Sequence, residues 1–179
     1  LYSIDTRLRP HGASGPLVVT LDAFRDYFRD SAQAWERMAL TRARVIFSNG
    51  GFGREVAEVI QEVLAAPLDP GGLARDVVAM RRRLEDGRAR NDLKRGSGGL
   101  ADIEFLLQWL QRRSCGRDRA TRNPVLLTAL AALGEADALP AEEVESLADH
   151  YRWLTRLRQR LWLSLGEGQA DILPEDPSH

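Results

Sequence analysis

The chain opens on strict alternation. Tyr2, Ile4, Thr6 and Leu8 interleave with Ser3, Asp5, Arg7 and Arg9, which predicts a β-strand with one apolar face. Asp5, Arg7 and Arg9 then project together from the opposite face, a carboxylate beside two guanidiniums. Pro10, Gly12, Gly15 and Pro16 turn the chain out of the strand. A lone strand cannot bury its edges or its apolar face, so residues 1–19 read as the C-terminal strand and turn of a domain that is incomplete here. Downstream the period changes from two to three-and-four. Thr20 stands as an N-cap before Leu21, and Phe24, Tyr27 and Phe28 share a face. Over 31–46, Trp35, Met38, Ala39, Arg42, Val45 and Ile46 form a stripe that Ser48-Asn49-Gly50-Gly51 closes. Val56, Val59, Ile60, Val63 and Leu64 predict a helix over 52–66. After a turn at 67–72, Leu73, Val77, Met80 and Leu84 predict the next, with Arg81-Arg82-Arg83 mostly outward as a solvated face.

Residues 86–99 are polar and glycine-rich, a loop longer than most connections in compact domains. From 100 to 113, Ile103, Leu106, Leu107 and Leu110 lie on one side and Phe105 and Trp109 on another, an apolar arc wide enough for a central helix. Pro124 opens a short helix to Leu133, and Pro140 the longest one, 141–165, which Gly166 stops. Trp35, Trp109, Trp153 and Trp162 read as core or interface packing. The expected fold is mainly α: a helical bundle of six or seven helices, residues 20–166, preceded by the strand and followed by a linker or tail at 167–179.

Composition narrows the classes. A hydrophobic share of 44% and a charged share of 28% suit a soluble globular domain. A formal charge of −1 and the lack of a basic, aromatic groove argue against nucleic acid as a partner. The single cysteine, Cys115, forbids an intrachain disulfide. No run of eighteen apolar residues argues for a membrane span, and a cytoplasmic location is the expectation.

Four blocks carry a resemblance. Residues 4–18, from Ile4-Asp5-Thr6-Arg7-Leu8-Arg9-Pro10 to Leu17-Val18, resemble the D-x-R-L-R-P-x-G-x-x-G-x-L-V block of glutamine synthetase adenylyltransferases (the glutamate–ammonia ligase adenylyltransferase family). Residues 35–44 are similar to that family's W-E-x-x-A-L-x-R-A-R helix, 73–80 to the helix that follows, and 94–105 to its K-x-x-x-G-G-hydrophobic-x-D-I-E-F block. The resemblance implies a nucleotidyltransferase unit of polymerase-β type followed by a helical domain. It implies that Asp5 is the third of three carboxylates holding Mg²⁺, the first two, in a G-S-x-x-D-x-D segment, belonging upstream of Leu1. Hard oxygen ligands are what Mg²⁺ requires. Asp102-Ile103-Glu104 does not supply the missing pair, because residues i and i+2 on a helix lie roughly 200° apart.

The implied reaction of the whole enzyme is two-metal transfer of AMP from ATP to a tyrosine of glutamine synthetase, with a PII-type signal protein as regulatory partner and this stretch inactive by itself. The alternatives are the deadenylylating, phosphorolytic unit of the same enzyme and a non-catalytic helical regulatory module. Thr6, the Leu21-Asp22-Ala23-Phe24 start, Arg42-Ala43-Arg44-Val45 and Asp102-Ile103-Glu104 look closer to the adenylylating unit; Gly15-Pro16-Leu17 has the flavour of the other. Around Asp5, Arg7 and Arg9 either grip nucleotide phosphates or tie the strand to the helical domain. Arg42 and Arg44 read as anchors to a partner such as Glu36 or Glu104. Lys94, with Gly96-Ser97-Gly98-Gly99, either brings a cation and N–H groups to an anion or is a flexible entry to a helix. Asp102 reads as complementing that helix's dipole.

Overall fold

A computed structural model describes residues 5–6, 8–67, 69–114, 120–166 and 171–174. Among them are seven α-helices and no strand: α1 Leu21–Asp26, α2 Ala34–Ala39, α3 Phe52–Ala65, α4 Pro70–Glu85, α5 Leu100–Ser114, α6 Leu126–Glu135 and α7 Ala141–Leu165. The protein is therefore mainly α. The strand expected at the front falls largely on residues outside the described set. What is described of it, Asp5, Thr6, Leu8 and Arg9, is irregular and leads into a 3₁₀ turn at Gly12–Ser14.

The apolar periodicity decides which faces meet. α3 buries Val59, Ile60, Val63 and Leu64, and Phe28, Ala32 and Leu40 close over them. α5 is the hub, packing on α2, α4, α6 and α7. Leu107 and Leu110 join Leu126, Ala129, Leu130 and Leu133 of α6 in one cluster, while Leu100 and Ile103 join Leu93 and Leu154 in another. Two polar residues of α5 are buried as clasps. Arg112 donates to the carbonyls of Leu64 and Val63 at the end of α3. Gln111 donates to the carbonyls of Thr121 (2.8 Å) and Asn123 (2.9 Å), fixing the chain before α6.

The 86–99 loop is ordered by its own polar residues. One Asp92 carboxylate oxygen accepts from the backbone N–H groups of Lys94 (2.9 Å) and Arg95 (2.8 Å), and the Asp92 carbonyl accepts from Gly96 (2.9 Å). The aperiodic tail docks there too. Asp92 and Ile172 form an antiparallel bridge, Leu93 donates to the Asp171 carbonyl (2.6 Å), and Asp171 pairs with Arg158 of α7.

Several helix expectations need correction. Thr20 caps α1 as read, its hydroxyl accepting from Ala23 N–H at 3.2 Å. The helix expected over 31–46 is only α2 plus a 3₁₀ turn, Leu40–Arg42. The Thr41 hydroxyl bonds back to the Met38 carbonyl (2.8 Å), and Ala43 is already extended (φ −71°, ψ 139°). Val45, Ile46 and Phe47, poor helix formers, have no facing surface to hold them helical. α4 starts earlier than expected, because Asp69 caps it by accepting from both Gly71 and Gly72, and Pro124 precedes the cap of α6 rather than opening it. Trp35, Trp153 and Trp162 are exposed; Trp109 alone packs against the core, with Arg113 over its ring.

Candidate nucleotide-side cleft

Arg9, alone of the front residues singled out in the sequence, lines a cleft of about 270 Å³ together with Leu8, Phe28, Glu36, Ala39, Leu40, Arg42 and Ala43. Its floor is apolar, and its charged groups differ in how far they are committed. Arg9 is spent on the main chain: it donates to Thr6 O, to Thr6 Oγ1 (3.1 Å), to Gly15 O (3.2 Å) and to Ala13 O (3.4 Å), closing the Pro10–Gly15 turn. Glu36 is equally engaged, accepting from Gln33 N–H (2.8 Å) in a capping box and from the Tyr27 hydroxyl at 2.6 Å. Arg42 is the loosest. It meets Glu104 of α5 at 3.6 Å, both side chains being more than a third exposed. Such a pair holds little energy and can be exchanged.

His11, held at φ +61°, sets its ring edge against Tyr27 with centroids 4.7 Å apart. Burial, and then the bond to Glu36, hold the Tyr27 hydroxyl above its usual range. A group whose folded pKa is raised stabilises the fold below its unfolded pKa, about 10 for tyrosine, and that contribution is lost as pH rises through the folded value. Tyr27→Phe is expected to cost about 1–2 kcal/mol at pH 8. It also removes the extra fall in urea midpoint between pH 9 and 11; an identical pH dependence in both proteins would refute this role.

The sequence-predicted residues are not all brought together. Asp5 is exposed, four residues ahead of Arg9, and Arg7 lies outside the described residues. Lys94 is half-buried on the glycine turn before α5 and does not line the cleft. Arg42 does find Glu104, one of the two partners read for it. One expectation fails at the glycine turn, and another is exceeded. Arg81 is not on a solvated face: its side chain is 12% exposed, it ion-pairs with Asp102, and it donates to the Gly96 carbonyl at 2.9 Å. Hydrogen bonding to Asp102 raises its pKa further above the usual range. Asp102 does more than complement a dipole, since its other oxygen accepts from Gly98 N–H (2.7 Å) and Arg81 (3.1 Å). Sequence reading missed this clasp because Arg81 shares a run with two outward arginines.

For Mg²⁺ the residues present do not suffice. Asp5 is one carboxylate where the ion needs about six oxygens, and among the described residues no three His, Cys, Asp or Glu side chains gather as a metal-holding group. No described helix is long and apolar enough to cross a membrane.

Comparison with known proteins places this geometry. Residues 1–59 match the family model described as glutamate-ammonia ligase adenylyltransferase, and residues 73–179 the model described as GlnD PII-uridylyltransferase. The bifunctional glutamine synthetase adenylyltransferase/adenylyl-removing enzyme of Xanthobacter autotrophicus is 41% identical over 186 residues, 99% of this chain and 18% of its own length. That of Aromatoleum aromaticum is 39% identical over 165 residues, covering 89% and 18%. The chain belongs to the glutamate-ammonia ligase adenylyltransferase family. A Bradyrhizobium relative of the same name is 50% identical over 114 residues. The chain spans about a fifth or less of the length of these curated relatives. The cleft falls wholly inside residues 1–59, and Glu104, within the region matched by the second model, pairs with its Arg42.

Proposed function

We propose that this chain is part of a nucleotidyltransferase that transfers AMP from ATP to a tyrosine of glutamine synthetase, with Mg²⁺ as its metal and a PII-type protein as its regulator. The observation that carries the proposal is the coincidence of the adenylyltransferase match over residues 1–59 with an exposed Asp5 and a cleft holding Arg9 and Arg42. In this reading Asp5 is one ligand of a metal site completed by carboxylates from elsewhere in the protein, and Lys94 is a further cation toward the nucleotide. Arg9 orders the turn that presents Asp5. Arg42 is the cation free enough to meet a phosphate, its guanidinium fork matching phosphate oxygens. The chemistry is displacement at the α-phosphorus: the tyrosine oxygen forms the new P–O bond, the bond to pyrophosphate breaks, and the phenolic proton leaves to solvent or a base. The relatives' names join this activity to adenylyl removal, so the phosphorolytic direction is the second reading. The resemblance of Asp102-Ile103-Glu104 and Leu21-Asp22-Ala23-Phe24 to the adenylylating unit favours the first.

Titration of the full-length protein with ATP and Mg²⁺ tests the proposal. Asp5→Asn is expected to weaken Mg²⁺-dependent binding at least about tenfold, which is about 1.4 kcal/mol. Equal binding by both proteins would remove Asp5 from the metal site. Incubation with glutamine synthetase then separates the directions: AMP appearing on a tyrosine supports transfer, and ADP released from adenylylated target in phosphate supports removal.

A further inference from the structure

The two charged side chains that meet between the cleft and α5 hold each other only loosely. The 3₁₀ turn Leu40–Arg42 lies against α5, and from it Arg42 Nη1 reaches Glu104 Oε1 at 3.6 Å. That separation makes an ion pair but is too long for an N–H group to donate to the oxygen. Among the described residues, neither side chain has another ion pair or hydrogen bond. The Arg42 guanidinium thus has its charge balanced while its N–H fork is left without acceptors. Glu36, the carboxylate that lines the cleft, cannot follow Arg42, because its oxygens are held by Gln33 N–H and the Tyr27 hydroxyl. A phosphate offers what Glu104 at this distance does not: two oxygens seated on the fork and more than one negative charge.

We infer that Glu104 is an internal competitor for the nucleotide phosphate at Arg42, and that its displacement frees the cation and sets the affinity of the cleft. This rests on the function proposed above, which brings a nucleotide to the cleft. Exchange of one anion for another needs a weak pair within reach of water, and both side chains are more than a third exposed. It also needs a competitor carried by an element that does not build the cleft. Glu104 meets that condition, since α5 supplies none of the lining residues. The same helix packs on α2, α4, α6 and α7, so a tilt of α5 alters how much of the time Arg42 is open to a phosphate. By linkage, a nucleotide that takes Arg42 weakens the hold of α5 on the 3₁₀ turn to the same extent.

Titration of ATP with Mg²⁺ into the full-length protein, beside Glu104→Gln, Arg42→Gln and the double variant, tests this. Glutamine keeps the size of the Glu104 side chain and removes its charge. Glu104→Gln is expected to bind ATP about two- to fivefold more tightly than the unsubstituted protein, the range that an exposed ion pair can withhold. Arg42→Gln is expected to bind more weakly, and adding Glu104→Gln to it to change nothing further, because the competitor acts only through that cation. Unchanged or weaker binding by Glu104→Gln would overturn the inference and leave Glu104 as the residue that places Arg42. Tightening that persists in the Arg42→Gln background would overturn it too, as a general loss of negative charge, and so would binding indifferent to Arg42→Gln. These outcomes leave the enzymatic reading standing, whereas an unsubstituted protein that binds no nucleotide sinks that reading and the competitor with it.

Discussion

Asp102→Ala is expected to lower stability by about 3 kcal/mol, near the low end for breaking a buried ion pair because Asp102 itself keeps about a third of its exposure. The substitution leaves the Arg81 guanidinium, 12% exposed, with only the Gly96 carbonyl and a 3.5 Å approach to Glu85, and strips Gly98 N–H of its acceptor. In a protein of this length that is a fall of about 6–12 °C in Tm. Asp102→Asn should cost roughly half as much, since an amide oxygen still accepts from Gly98 while the charge is gone. The decisive measurement is the double variant with Arg81→Met. Removing both charges should recover much of the loss, giving a coupling energy of about 1–2 kcal/mol in the cycle. Strict additivity would mean that the two side chains act separately and that the clasp between α4 and α5 is not what orders the glycine turn.

Gly96→Ala should cost about 2–3 kcal/mol by forcing the backbone apart. A Cβ there would sit 2.4 Å from the Asp92 carbonyl oxygen, and that oxygen is fixed by its bond from Gly96 N–H itself. Neither partner is a side chain that can swing away. Gly98→Ala is the instructive contrast. Its Cβ meets nothing within 4 Å, but φ is +76°, so the expected cost is only about 1 kcal/mol of backbone strain. Chemical denaturation of the two variants side by side reads the difference. Equal losses would show that conformational freedom, not close approach, is what both glycines supply. Because the Gly96 carbonyl is also bonded by Arg81, a displaced turn should weaken the Asp102 clasp as well.

The wide separation of these two effects from surface substitutions has a bearing on the cleft. Glu104 lies on α5 one turn below Ala101 and two residues past Asp102, so the clasp that seats the start of α5 also sets where Glu104 meets Arg42. Loosening the glycine turn is therefore expected to disturb Arg42, the lightly held cation among the described residues of the cleft, without touching it.

Much of the architecture was determined by the sequence itself. The three-and-four apolar spacing of Val59, Ile60, Val63 and Leu64, and of Leu107 and Leu110, states which faces must be buried, because burial of apolar area is the dominant favourable term and a helix has one period. Thr20, Pro140 and Gly166 mark ends by local chemistry that needs no neighbour. The motif marks Asp5, Arg7 and Arg9 as neighbours, whereas Arg42 reads from the sequence as a structural anchor and only the fold puts it beside Arg9. Tertiary structure alone decided the rest. Whether Arg81 faces water or Asp102, whether residues 43–47 stay helical or leave the helix, and whether the 171–174 tail hangs or docks on Asn91 and Leu93 all depend on groups far away in the chain. A charge or a short apolar run is compatible with either outcome until the partner across the fold is known, since the deciding energies are those of contact and desolvation rather than of local backbone preference.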